Sequence, residues 1–200
     1  AAADAQAAKL NWIADQYNLS EVSATTFTAD RGYQGNGTSS YLETGFNPAT
    51  AVSPLFVQNS GHIGIWSRTA AQGDGVDIGN GTSLIQARNT SDIFGNRINA
   101  TASNAPANTD GIGLFLTSRT GAATTIPYKN GVALATAPTA STAVDSTSFR
   151  ILSRSGTVSF SARQASFASI GAGLTGQNAA DSFNAVSDYL EAVGAAGGPP

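Results

Sequence analysis

The sequence predicts an all-β domain, a sandwich or a barrel, and three observations carry that expectation. Short runs rich in Ile, Val, Phe, Thr and Tyr recur from Thr26 to Gly171, separated by clusters of Gly, Asn, Asp and Ser. No βαβ rhythm interrupts them, and a helical period appears only near the two ends. With 41% hydrophobic residues over 200 positions, the chain can bury a core as a single domain.

The elements follow in order. Residues 5–17 place Leu10, Ile13 and Tyr17 at helix-like offsets and read as a short amphipathic helix. Residues 18–25 read as a linker or a first edge strand. The stretch FTADRGYQGNGTSSYLETGFNP then combines turns with a strand. Gly32, Gly35 and Gly37 suit positive φ, and Asn36-Gly37 is a tight-turn pair. Over Tyr41 to Thr44, Tyr41 and Glu43 share one face, Leu42 and Thr44 the other. Further strands are expected over 62–69, 75–79, 83–87, 92–99, 111–119, 124–129, 132–136, 148–153, 157–163 and 166–170. Within YKNGV, Asn130-Gly131 predicts a hairpin with a type I′ turn. Finally Phe183, Val186, Tyr189, Leu190 and Val193 recur at three- and four-residue steps. With Thr175 as N-cap and Gly194 as the stop, they predict a helix over 176–193. The organisation expected is a helical segment and linker (1–24), a sandwich (25–173), and a helix with a loose tail (174–200).

Composition narrows the function. Only 12% of residues are charged, the formal charge is −3 and the isoelectric point is near 4.9. Nucleic-acid binding needs a basic face, so that class is not expected. No apolar run reaches the ~20 residues of a membrane-spanning helix. The chain has no Cys, which removes disulfides and thiolate chemistry, and no Met. It is therefore expected to be processed or, more in keeping with the non-basic Ala1-Ala2-Ala3, a piece of a longer protein. Residues 100–110 and 137–145 form long polar loops, candidates for binding or oligomer contacts.

Two motifs carry a family resemblance. The Gly-rich turn leading into Ser40-Tyr41-Leu42-Glu43-Thr44-Gly45 resembles the opening of laminin-G-like, concanavalin A-like sandwiches. The closing SFASIGAGLTGQNAADSFNAVSDYLEAVGA resembles the ending of phage and prophage appendage proteins that carry this sandwich, with YKNG in the corresponding place. The likeness spans about residues 1–195, specific at its two ends and carried between them by the strand pattern. It implies a two-sheet antiparallel jelly-roll sandwich with a short N-terminal helix and a packed C-terminal helix. It also implies a non-enzymatic domain on a virion surface, in a tail fibre, spike or capsid appendage. Its partners would be host cell-surface polysaccharide, other virion proteins and further copies of itself. The alternatives are a virion decoration or adaptor protein without glycan binding and, less favoured, a polysaccharide-degrading enzyme.

Candidate sites follow from the strand pattern. With Ile63 and Ile65 in the core, His62, Trp66 and Arg68 face outward together, an aromatic platform flanked by donors that suits a sugar ring. Burial of Trp66 under a loop or helix is the commoner fate of so large an aromatic. Arg68, Arg119 and Arg154 each follow a Ser at a strand end and would form an anionic-glycan patch if those strands were neighbours; solvated edge arginines are the plainer reading. Tyr128 and Asn130 complete the glycan-binding set. No cofactor is expected apart from calcium, for which Asp74, Asp77 and Asn80 in GDGVDIGNG offer oxygens; ordinary Asp-Gly turn chemistry accounts for them equally simply. The glutamates Glu21, Glu43 and Glu191 are too dispersed for a paired-carboxylate glycosidase. His62, the sole histidine, has no G-x-S-x-G partner motif. No catalytic set is expected.

Overall fold

A computed structural model describes residues 2–156 and 159–195. In chain order its strands begin with β1 (Ser20–Val22), β2 (Thr26–Thr28), β3 (Gly32–Gln34), β4 (Tyr41–Glu43) and β5 (Gly61–Arg68). Next come β6 (Ile78–Gly79), β7 (Leu84–Gln86), β8 (Gly95–Arg97) and β9 (Ile112–Arg119). Then follow β10 (Thr125–Lys129), β11 (Val132–Ala133), β12 (Arg150–Ile151) and β13 (Gln164–Gly171), before the helix α1 (Gly176–Ala192). They form two antiparallel sheets, six strands in the order β1-β4-β12-β6-β7-β8 and seven in the order β11-β10-β9-β5-β13-β3-β2. The expected two-sheet sandwich with a C-terminal helix is what the chain adopts.

Alternation puts the core between the sheets. In the six-stranded sheet, register aligns Leu42, Ile151, Ile78 and Ile85 across four strands, all facing inward. In the seven-stranded sheet, Ile63, Ile65 and Phe115 answer them from β5 and β9. Phe56, Phe94 and Phe149 close the core, with Phe94 edge-on to Phe115 and Phe56 edge-on to Phe149. Each such side chain is fully buried and contributes about 1.5–3 kcal/mol.

The C-terminal helix obeys its local signals. Thr175 and Asn178 form a reciprocal capping box. At the other end Gly194 (φ 66°) lets Ala195 N–H reach Leu190 O and Gly194 N–H reach Glu191 O, a Schellman stop. The hairpin turn also forms as expected, with φ 49° at Asn130 and 77° at Gly131.

Several expectations fail locally. Residues 5–17 contain only a single 3-10 turn, Ala7–Lys9. Asn11 Oδ1 accepts from Ile13 N–H, Asn11 Nδ2 donates to Gln16 O, and Asn18 Oδ1 accepts from Asn11 N–H. These side chains bond the backbone groups that a helix would use. Trp12 instead packs against Phe167 and Tyr189, with ring centroids 5.8 and 5.0 Å away. The 18–25 segment supplies an edge strand, β1, rather than a linker. The 92–99, 132–136 and 148–153 strands shrink to two or three residues. Over 157–163 the first two positions lie outside the described residues, and Phe160 makes only an isolated bridge to Val76.

Candidate functional site

The outward face of β5 is where the sequence placed a sugar platform, and α1 lies across it. Trp66 has no exposed surface, and its ring stacks on Phe183 at 5.8 Å with the planes 2° apart. Leu114, Val186 and Leu190 surround the pair. Of the two readings of Trp66, burial under a helix is the one realised. Tyr128 is likewise sealed, beside Leu116 and Ala179, and burial raises its phenol above the ordinary tyrosine range.

The other predicted residues serve the fold rather than a surface. His62 Nδ1 donates to Ala172 O at 2.6 Å, and burial holds the imidazole below its ordinary pKa against the pull of that carbonyl. Asn130 Oδ1 accepts from Leu114 N–H at 2.9 Å, within the turn. Arg68 is buried, its Nε donating to Ser166 Oγ at 2.8 Å. Arg119 is fully buried and donates to the carbonyls of Ile98, Gly121, Ala122 and Thr139. Arg119 pairs with Gly61 and Arg68 with Ile112, which sets the two arginines at opposite ends of the β5–β9 ladder. The expected arginine patch therefore does not assemble, and His62, Trp66, Arg68, Arg119, Tyr128 and Asn130 present no common binding surface.

The calcium candidates are already engaged. Asp77 Oδ1 accepts from Ser161 Oγ at 2.6 Å and from Arg163 Nη1 at 3.2 Å, and its Oδ2 accepts from Ala87 N–H at 2.7 Å. Asp74 accepts from Thr90, while Asn80 Oδ1 accepts from the N–H groups of Thr82 and Ser83. The three side chains serve separate partners, so the donor set does not fit a cation. Among the described residues no three His, Asp or Glu side chains group as metal ligands.

The outward face of the six-stranded sheet is different. Register aligns Ser20, Glu43, Arg150, Gly79, Leu84 and Arg97 in one row. Arg150 lies over the Tyr41 ring at 4.3 Å and pairs through Nε with Glu43 Oε2 at 3.2 Å. The Phe160 ring stacks on Tyr41 at 6.2 Å. Arg150 and Glu43 keep 29% and 26% of their side-chain surface in water. An aromatic ring, a cation and a carboxylate thus stand together on an accessible surface. The sequence showed Tyr41 and Glu43 on one face; Arg150, more than a hundred positions away, was beyond any local pattern.

No protein-family model and no curated protein matches the sequence. Among solved structures, the fold is similar to part of a Trypanosoma rangeli sialidase in complex with 2,3-difluorosialic acid, a covalent intermediate. The TM-score is 0.62 at 13% identity, over 86% of this chain and 30% of that one. The chain therefore spans under a third of the sialidase's length. At that identity the likeness concerns the sandwich alone.

Proposed function

We propose that this domain is a non-enzymatic carbohydrate-recognition module displayed on a phage or phage-like particle, binding polysaccharide on the host cell surface. The observation that carries the reading is the Tyr41–Arg150–Glu43 group on the accessible face of the six-stranded sheet. The partly accessible Tyr41 ring offers apolar contact to a sugar's C–H groups, and the charged pair offers a donor and an acceptor for hydroxyls. The sandwich shared with a sialidase held in a sialic-acid complex agrees with glycan chemistry. The end motifs in FTADRGYQGNGTSSYLETGFNP and SFASIGAGLTGQNAADSFNAVSDYLEAVGA support the virion setting. Weak single sites would gain strength from several copies on one appendage. Turnover is not part of the proposal.

The test is a glycan array followed by calorimetry with the isolated chain. Binding of a host capsule or lipopolysaccharide fragment, weakened about tenfold by Tyr41→Ala, supports the reading. Silence across host polysaccharides overturns it, and release of reducing ends would make the domain an enzyme.

A second reading, a virion adaptor, is favoured by exposed apolar side chains. Ile13 and Val52 are 92% and 93% accessible, Leu55 73% and Leu10 57%. Gathered into one patch by a partner, such side chains would suit protein contact. Assembly that shields all four side chains from solvent would support it.

A further inference from the structure

One edge of the six-stranded sheet opens onto a groove. Its outermost strand, β1, pairs only with β4. The 3-10 turn Ala7–Lys9 folds back beside β1, tied there where Leu19 N–H donates to Lys9 O at 2.8 Å. Between them, residues from Asp4 to Leu10 and from Asn18 to Glu21 enclose about 640 Å³, room enough for a small ligand. The polar groups that line this space are accessible. Gln6 and Ser20 are exposed, and among the described residues neither side chain makes a hydrogen bond. Asp4 Oδ1 accepts from the N–H groups of Gln6 and Ala7, which leaves Oδ2 open. Lys9 Nζ donates to Glu21 Oε1 at 3.3 Å and keeps two further hydrogens. Open donors and acceptors side by side suit a chain of hydroxyls, each of which both donates and accepts.

Register joins this groove to the Tyr41 group. Ser20 lines the groove and stands opposite Glu43, which in turn stands opposite Arg150. The two places are therefore about two strand spacings apart, roughly 10 Å. That span is wider than one sugar ring. Charge narrows the ligand further. Lys9 is matched by Glu21 at 3.3 Å and Arg150 by Glu43 at 3.2 Å, while Asp4 is left over. An acidic sugar would meet no unmatched cation at either place, on a chain whose formal charge is already −3.

We infer that the groove and the Tyr41–Arg150–Glu43 group form one continuous site for a linear, uncharged polysaccharide, an inference that rests on the carbohydrate reading above. Several sugar units cross the strands. At one end, hydroxyls bond Gln6, Ser20, Asp4 Oδ2 and Lys9 along the sheet edge. At the other, C–H groups meet the Tyr41 ring beside the charged pair. A single sugar engages only half of these contacts, so affinity grows with chain length.

The first arm of the test is an array carrying dextran, mannan, galactan and neutral capsular polysaccharides beside alginate, hyaluronate and polysialate. Two-unit and six-unit fragments of the neutral polysaccharide that binds are then titrated by calorimetry. The proteins compared are the wild type and the double variant Gln6→Ala with Ser20→Ala, whose side chains make no bond within the fold. The six-unit fragment should bind the wild type about tenfold more tightly than the two-unit one. The double variant should lose that gain at an unchanged melting temperature. Backbone amide signals of Gln6, Ser20 and Glu43 should all move with the six-unit fragment, a readout that needs no variant. Binding confined to the acidic polysaccharides overturns the uncharged class and leaves the carbohydrate reading standing. Shifts confined to Glu43, or a double variant that binds like the wild type, overturn the groove while sparing the Tyr41 group. Silence across the whole array brings down both.

Discussion

On the seven-stranded sheet the outward residues Trp66, Leu114 and Leu116 are apolar, and α1 covers them. On the six-stranded sheet the outward row carries Glu43, Arg150 and Arg97, and no helix of the described residues lies over it. Both faces come from short alternating strands, and their chemistry decides their fate. A helix over the first face gains about 1.5–3 kcal/mol per large apolar side chain buried. Over the second it would have to desolvate charged groups, at several kcal/mol per ion. One face goes to stability, and the other stays accessible; recognition is proposed for that second face.

The strongest probe of that contrast is Trp66→Ala. Losing the ring stacked on Phe183 should cost about 3–5 kcal/mol in denaturant unfolding, with saccharide binding of the folded fraction unchanged. A loss of binding at intact stability would reverse the roles of the two faces.

Gly131→Val tests how closely the hairpin turn meets the helix. Gly131 sits at φ 77°, and a Cβ there would lie 2.9 Å from the Ala180 Cα. A loss of about 1–3 kcal/mol is expected from backbone strain alone, read as a lower melting temperature.

A smaller effect should come from pH. Burial lowers the folded-state pKa of His62 beneath its ordinary 6.5. The unfolded chain then binds the proton more readily, so the stability is fully present above pH 6.5 and declines as pH falls through the folded value. Unfolding midpoints from pH 8 to 5 should show that slope, and His62→Gln should flatten it. A variant with the same slope would place the titration on the carboxylates.

The smallest change in stability is expected at Arg150→Ala, under about 1 kcal/mol, because the ion pair with Glu43 is partly in water. Host-glycan affinity should nonetheless fall. A stability loss above about 3 kcal/mol would make the six-stranded face structural as well, and the contrast would dissolve.

How much of this was legible depended on range. The capping box, the Gly194 stop and the Asn130-Gly131 turn each lie within a few residues, and each was readable. The helix expected over residues 5–17 failed because Asn11 and Asn18 bond the local backbone, which a count of apolar offsets does not see. The site expectations failed for a related reason. Alternation correctly put Trp66 opposite Ile63 and Ile65, yet it could not tell a solvent-facing side from one that a later helix would cover.

What the residues alone determined, then, is the period of each segment and the places where the chain must turn, because these follow from backbone geometry and neighbouring side chains. Only the tertiary structure decided which outward row is sealed. It also decided that Arg150 would meet Tyr41. That meeting depends on strand order, where β12 inserts between β4 and β6 across a long sequence separation. Pairing of that kind is set by the packing of the whole core and leaves no mark in any local pattern.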